Sequence, residues 1–308
     1  MRHAEIIAVG SELLTPYRLD TNSLYLTGEL NRLGIVVLRK TVVGDDRAEL
    51  RETFRLALER ADLVIATGGL GPTEDDLTRD AVAELLGRRL VRNAEVLAQI
   101  RERFTRLGRT MTPNNERQAL VPEGAVVLTN PAGTAPGLWL EADGRVVVLL
   151  PGPPRELHAI FEQYARPLIE QRSGALRMAG RLLRVTGRTE SGVDHLIAGI
   201  YQSYPDVETT ILAAPGGIEV HLRLWSEDAA SASRTLDELA GRIQMALGES
   251  VFSTQGETLE EVVARELQLA GATIAVAESC TGGLVSARLT KQPGSSIFFR
   301  GGLVAYSN

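Results

Sequence analysis

The sequence predicts an α/β protein with a mostly parallel sheet over residues 1–172, a smaller α/β unit over 173–253, and the first part of a third α/β unit over 254–308. Three observations carry that prediction. Short apolar runs such as "AEIIAVG", "DLVIATGG" and "RVVVLLPG" lack polar alternation and read as strands buried on both faces. Stretches with helical spacing of apolar residues separate them. Loops rich in glycine and proline close the strands.

The elements follow in order. "AEIIAVG" is the first strand. "DTNSLYLTGELNRLG" places Leu24, Leu26, Leu30 and Leu33 at helical spacing, with Asp20 or Thr21 as N-cap and Gly34 as the stop. "IVVLRKTVV" is the second strand, "RAELRETFRLALERA" the second helix and "DLVIATGG" the third strand. Helical stretches follow around 78–87 and 93–107, and "RVVVLLPG" leads into a helix entered through prolines. After a seam near "EQRSGALRMAG" come strand "RLLRVTG", a helix at 190–202, strands around 207–213 and 218–225, and a helix from about 228 to 247. Beyond the linker "STQGET", helix "LEEVVARELQLAG", strand "TIAVAES", helix "GGLVSARLTK" and strand "FFRGGLVAYS" make the third unit. So short an alternation does not close a parallel sheet, so this unit is expected to be the front half of a domain.

Composition narrows the function classes. With 308 residues and ordinary apolar and charged fractions, the chain reads as two or three globular domains. A net charge of −6 argues against a dedicated nucleic-acid binder. Only Lys40 and Lys291 are available for lysine chemistry. The single cysteine, Cys280, excludes an intrachain disulfide or a Cys-cluster zinc site, and as a lone cysteine it reads as a small buried hydrophobe. No apolar run reaches membrane-spanning length and no signal peptide opens the chain, so a cytoplasmic protein is expected.

Chemistry concentrates in loops that follow predicted strands, where an open α/β sheet forms its ligand crevice. "GSELL", "VGDD", "GGLGPTEDD", "NPAGTAPG" and "PGPPRE" bring Glu12, Asp45, Asp46, Glu74, Asp75 and Asp76 to one rim. Glycine amides favour phosphate and carboxylates repel it, so the combination suits a diphosphate held with a divalent cation, magnesium or manganese. Structural alternatives exist piece by piece. Asp75 or Asp76 suits a cap for the helix near Leu77, the "DD" pair a cap for the second helix, and "PGPP" a rigid helix entry. Their joint position on one rim favours the ligand reading. In the third unit "AESCTGG" sets Ser279 at a helix start, beside backbone amides suited to an oxyanion. A serine hydroxyl there needs a base to act as a nucleophile, and taken alone it reads as an N-cap.

The motifs "GSELL…DTN", "VVGDD", "TGGLGPTEDDLT", "NPAGTAPG", "PGPPRE" and "AESCTGG", in that order, closely resemble the CinA family, competence/damage-inducible protein A, over the whole chain. The resemblance implies a molybdopterin-binding-like first domain with metal-dependent ADP-ribose pyrophosphatase activity, using magnesium, manganese or cobalt. It implies a KH-like middle domain and a third part similar to nicotinamide mononucleotide deamidases, in a homodimer. Carried over by motif, Gly68, Gly69, Gly71, Pro72, Thr73 and Asp76 form the central loop, and Asp45 is the acidic residue after the second strand. Asp45 and Asp76, with Glu12, are expected to place the cation. Asn130, Gly133 and Thr134 are expected to hold phosphate or ribose oxygens, with Glu156 on the same rim. In the third part Ser279 matches the nucleophile, Thr281, Gly282 and Gly283 its loop, and Tyr306 the tyrosine of a "YS" element.

Two departures qualify these expectations. "LLTPYRLDTN" carries Thr15-Pro16 where the family commonly has glycine. The family's catalytic lysine after the tyrosine has no counterpart, since Lys291 lies elsewhere, and no deamidase activity is expected from this chain by itself. Two alternatives share the motifs: a molybdopterin-binding or adenylyl-transfer protein, and a non-enzymatic accessory protein in competence or the DNA damage response. Residues 190–203 contain no GXXG clamp, so direct nucleic-acid binding is not expected.

Overall fold

The apolar run at His3 becomes an interior strand of a six-stranded sheet in the computed structural model, which describes residues 1–307. The first unit, Met1–Met178, begins β1 (His3–Val9), α1 (Thr21–Arg32), β2 (Val36–Val43), α2 (Arg47–Arg60), β3 (Leu63–Thr67), α3 (Thr78–Leu85), β4 (Leu90–Arg92) and α4 (Ala94–Arg106). It continues β5 (Leu120–Pro122), β6 (Val126–Leu128), β7 (Gly137–Ala142), β8 (Arg145–Leu150), α5 (Pro154–Ile160) and α6 (Arg166–Arg172). The sheet order is β2-β1-β3-β8-β7-β6. β2, β1, β3 and β8 run parallel, while β7 and β6 join antiparallel.

Register explains why the parallel strands read as unbroken apolar runs. Ile6, Ile65 and Val148 stand side by side on one face, and Ile7, Ala66 and Leu149 on the other. The first row packs against Leu26 and Leu30 of α1 and Leu157 and Ile160 of α5. The second packs against Leu50 and Phe54 of α2, Val82 of α3 and Ile100 of α4. Both faces are covered, so neither has a use for polar residues.

The helix ends follow the expected chemistry. Asp20 accepts from the Ser23 amide at 2.9 Å to cap α1, and Gly34, at φ +75°, closes it. Asp46 accepts from the Ala48 and Glu49 amides at 2.9 Å and caps α2, so of the "DD" pair one residue is a cap and Asp45 is free for the rim. Pro154 opens α5 as the proline entry predicts. The sheet carries two strands that the sequence reading lacks, β6 and β7. β6 spans three residues, too few to show a period, and β7 reaches β8 through an Asp143-Gly144 turn with φ of +50° and +76°.

The second unit, Ala179–Asn308, is described up to residue 307. β9 (Arg177–Val185) enters it, followed by α7 (Glu190–Tyr201), β10 (Glu208–Ala214), β11 (Gly217–Ser226), α8 (Ala229–Leu247) and β12 (Val251–Ser253). They form a sheet in the order β10-β11-β9-β12, on which Val193 and Ile197 of α7 and Leu236, Leu239 and Ile243 of α8 make a core with Leu183, Val185, Val220 and Leu222. Then come α9 (Leu259–Leu269), β13 (Ile274–Glu278), α10 (Leu284–Thr290) and β14 (Phe299–Val304). β13 and β14 form a two-stranded parallel sheet around a small core of Ala264, Leu289 and Phe298.

Candidate functional site

Because β1, β2, β3 and β8 are parallel, the loops at their C-terminal ends meet at one edge of the sheet. They enclose a cleft of about 390 Å³. Gly10 and Glu12 follow β1, Asp45 follows β2, Gly68 to Asp76 follow β3, and Pro151 to Pro153 follow β8. Thr134, Glu156 and Gln118 complete the wall. Among the described residues five carboxylates line the cleft, Glu12, Asp45, Asp75, Asp76 and Glu156, and no lysine or arginine does.

The central loop is held by Asp76. Its Oδ1 accepts from the Gly71 amide at 2.8 Å, and its Oδ2 accepts from the Thr73 amide at 2.8 Å and the Thr73 hydroxyl at 2.5 Å. The Thr73 hydroxyl also approaches Asp75, and that hydrogen bond lowers the Asp75 pKa below the ordinary carboxylate value. The glycines leave no room for side chains. A Cβ on Gly68 would stand 2.1 Å from the Val9 carbonyl oxygen, and one on Gly71 would stand 2.4 Å from Asp76 Oδ2. Neither Asp75 nor Asp76 caps α3, whose N-cap is Leu77. The N-terminal end of that helix is tied instead by Thr78, whose hydroxyl donates to the Gly68 carbonyl at 2.9 Å.

Asp45 joins two loops: its Oδ2 accepts from the Ser11 amide at 2.8 Å, and its own amide donates to the Ser11 hydroxyl at 3.1 Å. Glu12 accepts no side-chain hydrogen bond from any described residue, and its carboxylate leans over Gly10, where a Cβ would come 2.5 Å from Oε2. The amides of Gly69, Leu70, Thr134 and Gly152, all of them cleft residues, donate to no acceptor among the described residues.

Asn130 and Gly133 sit differently from the expectation. Asn130 Oδ1 accepts from the Ala132 and Gly133 amides at 2.9 and 2.7 Å, and its Nδ2 donates to the Ala135 carbonyl and Glu156 Oε2, both at 2.7 Å. Its hydrogen-bonding capacity is spent on shaping the 130–137 loop, so Thr134 is the residue of that trio that reaches the cleft. Gly133 packs against Glu156, where a Cβ would stand 1.8 Å from Oε2.

Two cleft carboxylates keep acceptors that a divalent cation could use. Asp45 Oδ1 and both Glu12 oxygens are uncommitted among the described residues, whereas both Asp76 oxygens already accept loop donors. No group of three or more His, Cys, Asp or Glu side chains is arranged to hold a metal ion among the described residues. A hard cation held by one or two carboxylates, with its other positions filled by phosphate oxygens and water, is the ordinary arrangement for magnesium.

One cleft residue escaped the sequence reading. Gln118 is buried and lines the cleft, yet its Oε1 has no partner; nothing in "NERQAL" marks it. Asn22, the last residue of the "DTN" motif, supports the rim from behind: its Nδ2 donates to Thr67 Oγ1 at 2.9 Å and to the Gly152 carbonyl at 2.8 Å, tying α1 to the end of β3 and to the loop after β8.

In the third part Glu278 organises "AESCTGG". It is buried, and it accepts from the amides of Gly283, Val285 and Ser286 and from the Ser286 hydroxyl at 2.6–3.1 Å. The Ser286 hydroxyl, followed by the Ser286 and Val285 amides, holds its pKa down at about 2. This corrects three expectations. The helix-start amides placed beside Ser279 are consumed by Glu278. Ser279 is not an N-cap, because α10 is preceded by Gly283. Cys280 is exposed, since the loop turns outward over the buried glutamate. Thr281 and Gly282 are exposed with Ser279, and Tyr306 is 76% exposed. Among the described residues no base is hydrogen-bonded to the Ser279 hydroxyl; Gly282 donates only to its carbonyl.

Comparison with known proteins agrees with this architecture. Residues 5–171 match the family described as "Probable molybdopterin binding domain". The first unit is thus an α/β domain of the molybdopterin-binding class. Residues 180–253 match "Damage-inducible protein CinA KH domain", and residues 256–308 match "CinA C-terminal domain". A CinA-like protein of Solibacter usitatus is 50% identical over 99% of this chain and 73% of its own length. One of Acidobacterium capsulatum is 51% identical over 99% of this chain and 75% of its own length. The crystal structure of CinA from Thermoplasma acidophilum, titled as of unknown function, is 36% identical with a TM-score of 0.51, covering 54% of this chain and 98% of that one. The chain belongs to the CinA family. No helix among the described residues is long and apolar enough to cross a membrane.

Proposed function

We propose that the first unit hydrolyses the diphosphate of ADP-ribose to AMP and ribose 5-phosphate, with magnesium, manganese or cobalt. The observation that carries this reading is the cleft's sign: among the described residues it has five lining carboxylates, no lining lysine or arginine, and four backbone amides without an acceptor. An anionic ligand enters such a site only with a cation between it and the carboxylates. When bound, that cation neutralises charge on the diphosphate and polarises its P–O bonds. Asp45, through its uncommitted Oδ1, would hold it. The amides of Gly69, Leu70, Thr134 and Gly152 would hold phosphate oxygens, and Asp76 keeps the loop in shape for them. Water adds to one phosphorus, the bridging P–O bond breaks, and the proton released from water passes to the uncommitted Glu12 carboxylate.

The test is product analysis of ADP-ribose incubated with the full chain and each metal, beside Glu12→Gln. Metal-dependent AMP and ribose 5-phosphate, strongly reduced in the variant, support the reading. No turnover with any of the three metals overturns it. A second reading then leads, favoured by the family match over 5–171: the same loops form a binding cradle for molybdopterin, measured by its affinity for the full chain. Residues 254–308 are proposed to add no amide hydrolysis of their own, since no base among the described residues is hydrogen-bonded to the Ser279 hydroxyl. Ammonia release from nicotinamide mononucleotide by the 308-residue chain, abolished by Ser279→Ala, would refute this.

A further inference from the structure

The four-stranded sheet of the second unit ends on β10, whose outer side pairs with no other strand among the described residues. A two-residue turn, Pro215-Gly216, joins β10 to β11 and sets Ala214 opposite Gly217. Backbone bonding to β11 then falls on Ala214, Leu212 and Thr210, while Thr209, Ile211 and Ala213 turn their amides and carbonyls to the open edge. Thr209 and Ile211 stand opposite Leu222 and Val220, on the face that carries α7. With α7 they line a groove of about 340 Å³. The helix wall presents Glu190, Ser191, Asp194 and Tyr201. Asp194 Oδ1 accepts from the Tyr201 hydroxyl at 2.8 Å, and its Oδ2 has no partner among the described residues. Across the groove Thr209 Oγ1 is buried and has no hydrogen-bond partner. From Thr189 to Leu222, the stretch that builds both walls, the sequence holds five carboxylates and no lysine or arginine.

We infer that the groove between α7 and β10 binds an extended basic peptide segment of a partner protein, added as a strand to the open edge of β10. An open edge offers such a segment a row of main-chain hydrogen bonds, and a groove beside it receives every second side chain. The side chains that pass over Ile211 toward α7 meet Asp194 and Glu190, which pair with lysine or arginine. A phosphodiester backbone is repelled by the same two carboxylates. Main-chain bonds thus supply affinity, and the acidic helix wall selects the sign of the partner. Nothing in this groove depends on the chemistry proposed for the first unit.

The experiment is titration of the full chain with an acetylated, amidated hexapeptide of alternating lysine and valine, followed by calorimetry and by amide NMR shifts. Saturable binding is expected, with the largest shifts at Thr209, Ile211 and Ala213. Backbone N-methylation of the peptide's lysines and, separately, of its valines should abolish binding in one case and spare it in the other, because a strand shows β10 only alternate amides. Replacing the lysines with glutamates should abolish binding. Asp194→Asn combined with Glu190→Gln is expected to weaken binding about tenfold, with thermal unfolding unchanged because asparagine keeps an acceptor for Tyr201. Ala213→Pro removes one outward amide at an exposed edge position that tolerates proline, and is also expected to weaken binding about tenfold. Absence of saturable binding, shifts confined to the acidic cleft of the first unit, or equal effects of the two methylation patterns overturns the inference. So does an oligothymidylate that shifts the β10 amides where the peptide does not, which would make the groove a nucleic-acid site.

Discussion

Asp76 accepts the Gly71 amide on Oδ1 and the Thr73 amide on Oδ2, each at 2.8 Å, so one side chain folds the acidic loop around itself. The residue that the motif presents as a metal ligand is first a structural clasp. Asp76→Asn puts a donor where the loop needs an acceptor. A loss of about 2 kcal/mol in unfolding free energy is expected, from hydrogen bonds to a charged acceptor, together with loss of turnover. Urea unfolding of both proteins checks it. An unchanged midpoint with lost activity would return Asp76 to the role of ligand alone.

Glu12 is the converse case. It is exposed and free of side-chain hydrogen bonds, so Glu12→Gln is expected to leave stability within about 0.5 kcal/mol. If its carboxylate accepts the water proton, kcat for ADP-ribose falls about a hundredfold or more. Thermal unfolding and steady-state rates on the same preparation separate the two effects. A kcat close to wild type removes Glu12 from the chemistry.

These two residues show where sequence and structure part. The parallel strands were legible because Ile6, Ile65 and Val148 face one core and Ile7, Ala66 and Leu149 the other, which forces unbroken apolar runs. The rim was legible because strand C-termini are where loops must carry polar function. How the carboxylates divide the labour was not, since Asp76 and Glu12 look alike until hydrogen bonds are counted. Gln118 was invisible for the same reason, and Glu278 was hidden one residue before the serine that drew attention. β7 had a signal in Asp143-Gly144, a turn pair whose two positive φ angles fit a tight hairpin.

Gly69 has a left-handed backbone, φ +66°, and a Cβ there would stand 2.1 Å from Thr78 Oγ1. Gly87 has nearly the same backbone, φ +62°, with open space around it. Alanine at Gly87 is expected to cost about 1 kcal/mol, the backbone term alone. Alanine at Gly69 adds displacement of the Thr78 hydroxyl from the Gly68 carbonyl and is expected to cost at least about 2 kcal/mol more. Denaturant titration of the two variants reads the difference directly, and equal losses would mean the loop yields without strain.

Glu278 gives the pH prediction. Its folded pKa lies at about 2, below the ordinary carboxylate value of 4.5, because the carboxylate accepts the Ser286 hydroxyl and the Ser286 and Val285 amides. A depressed pKa means stabilisation that is complete above the unfolded value and disappears as pH falls through the folded one. The "AESCTGG" loop is therefore expected to hold at neutral pH and to loosen between about pH 4.5 and about pH 2. The amide proton shifts of Gly283, Val285 and Ser286, followed by NMR, should move together with a midpoint near the lower value. Glu278→Gln should abolish that titration and leave the three amides less protected at neutral pH. A midpoint at the ordinary glutamate value, or shifts unaltered by the substitution, would mean that Glu278 does not hold the loop.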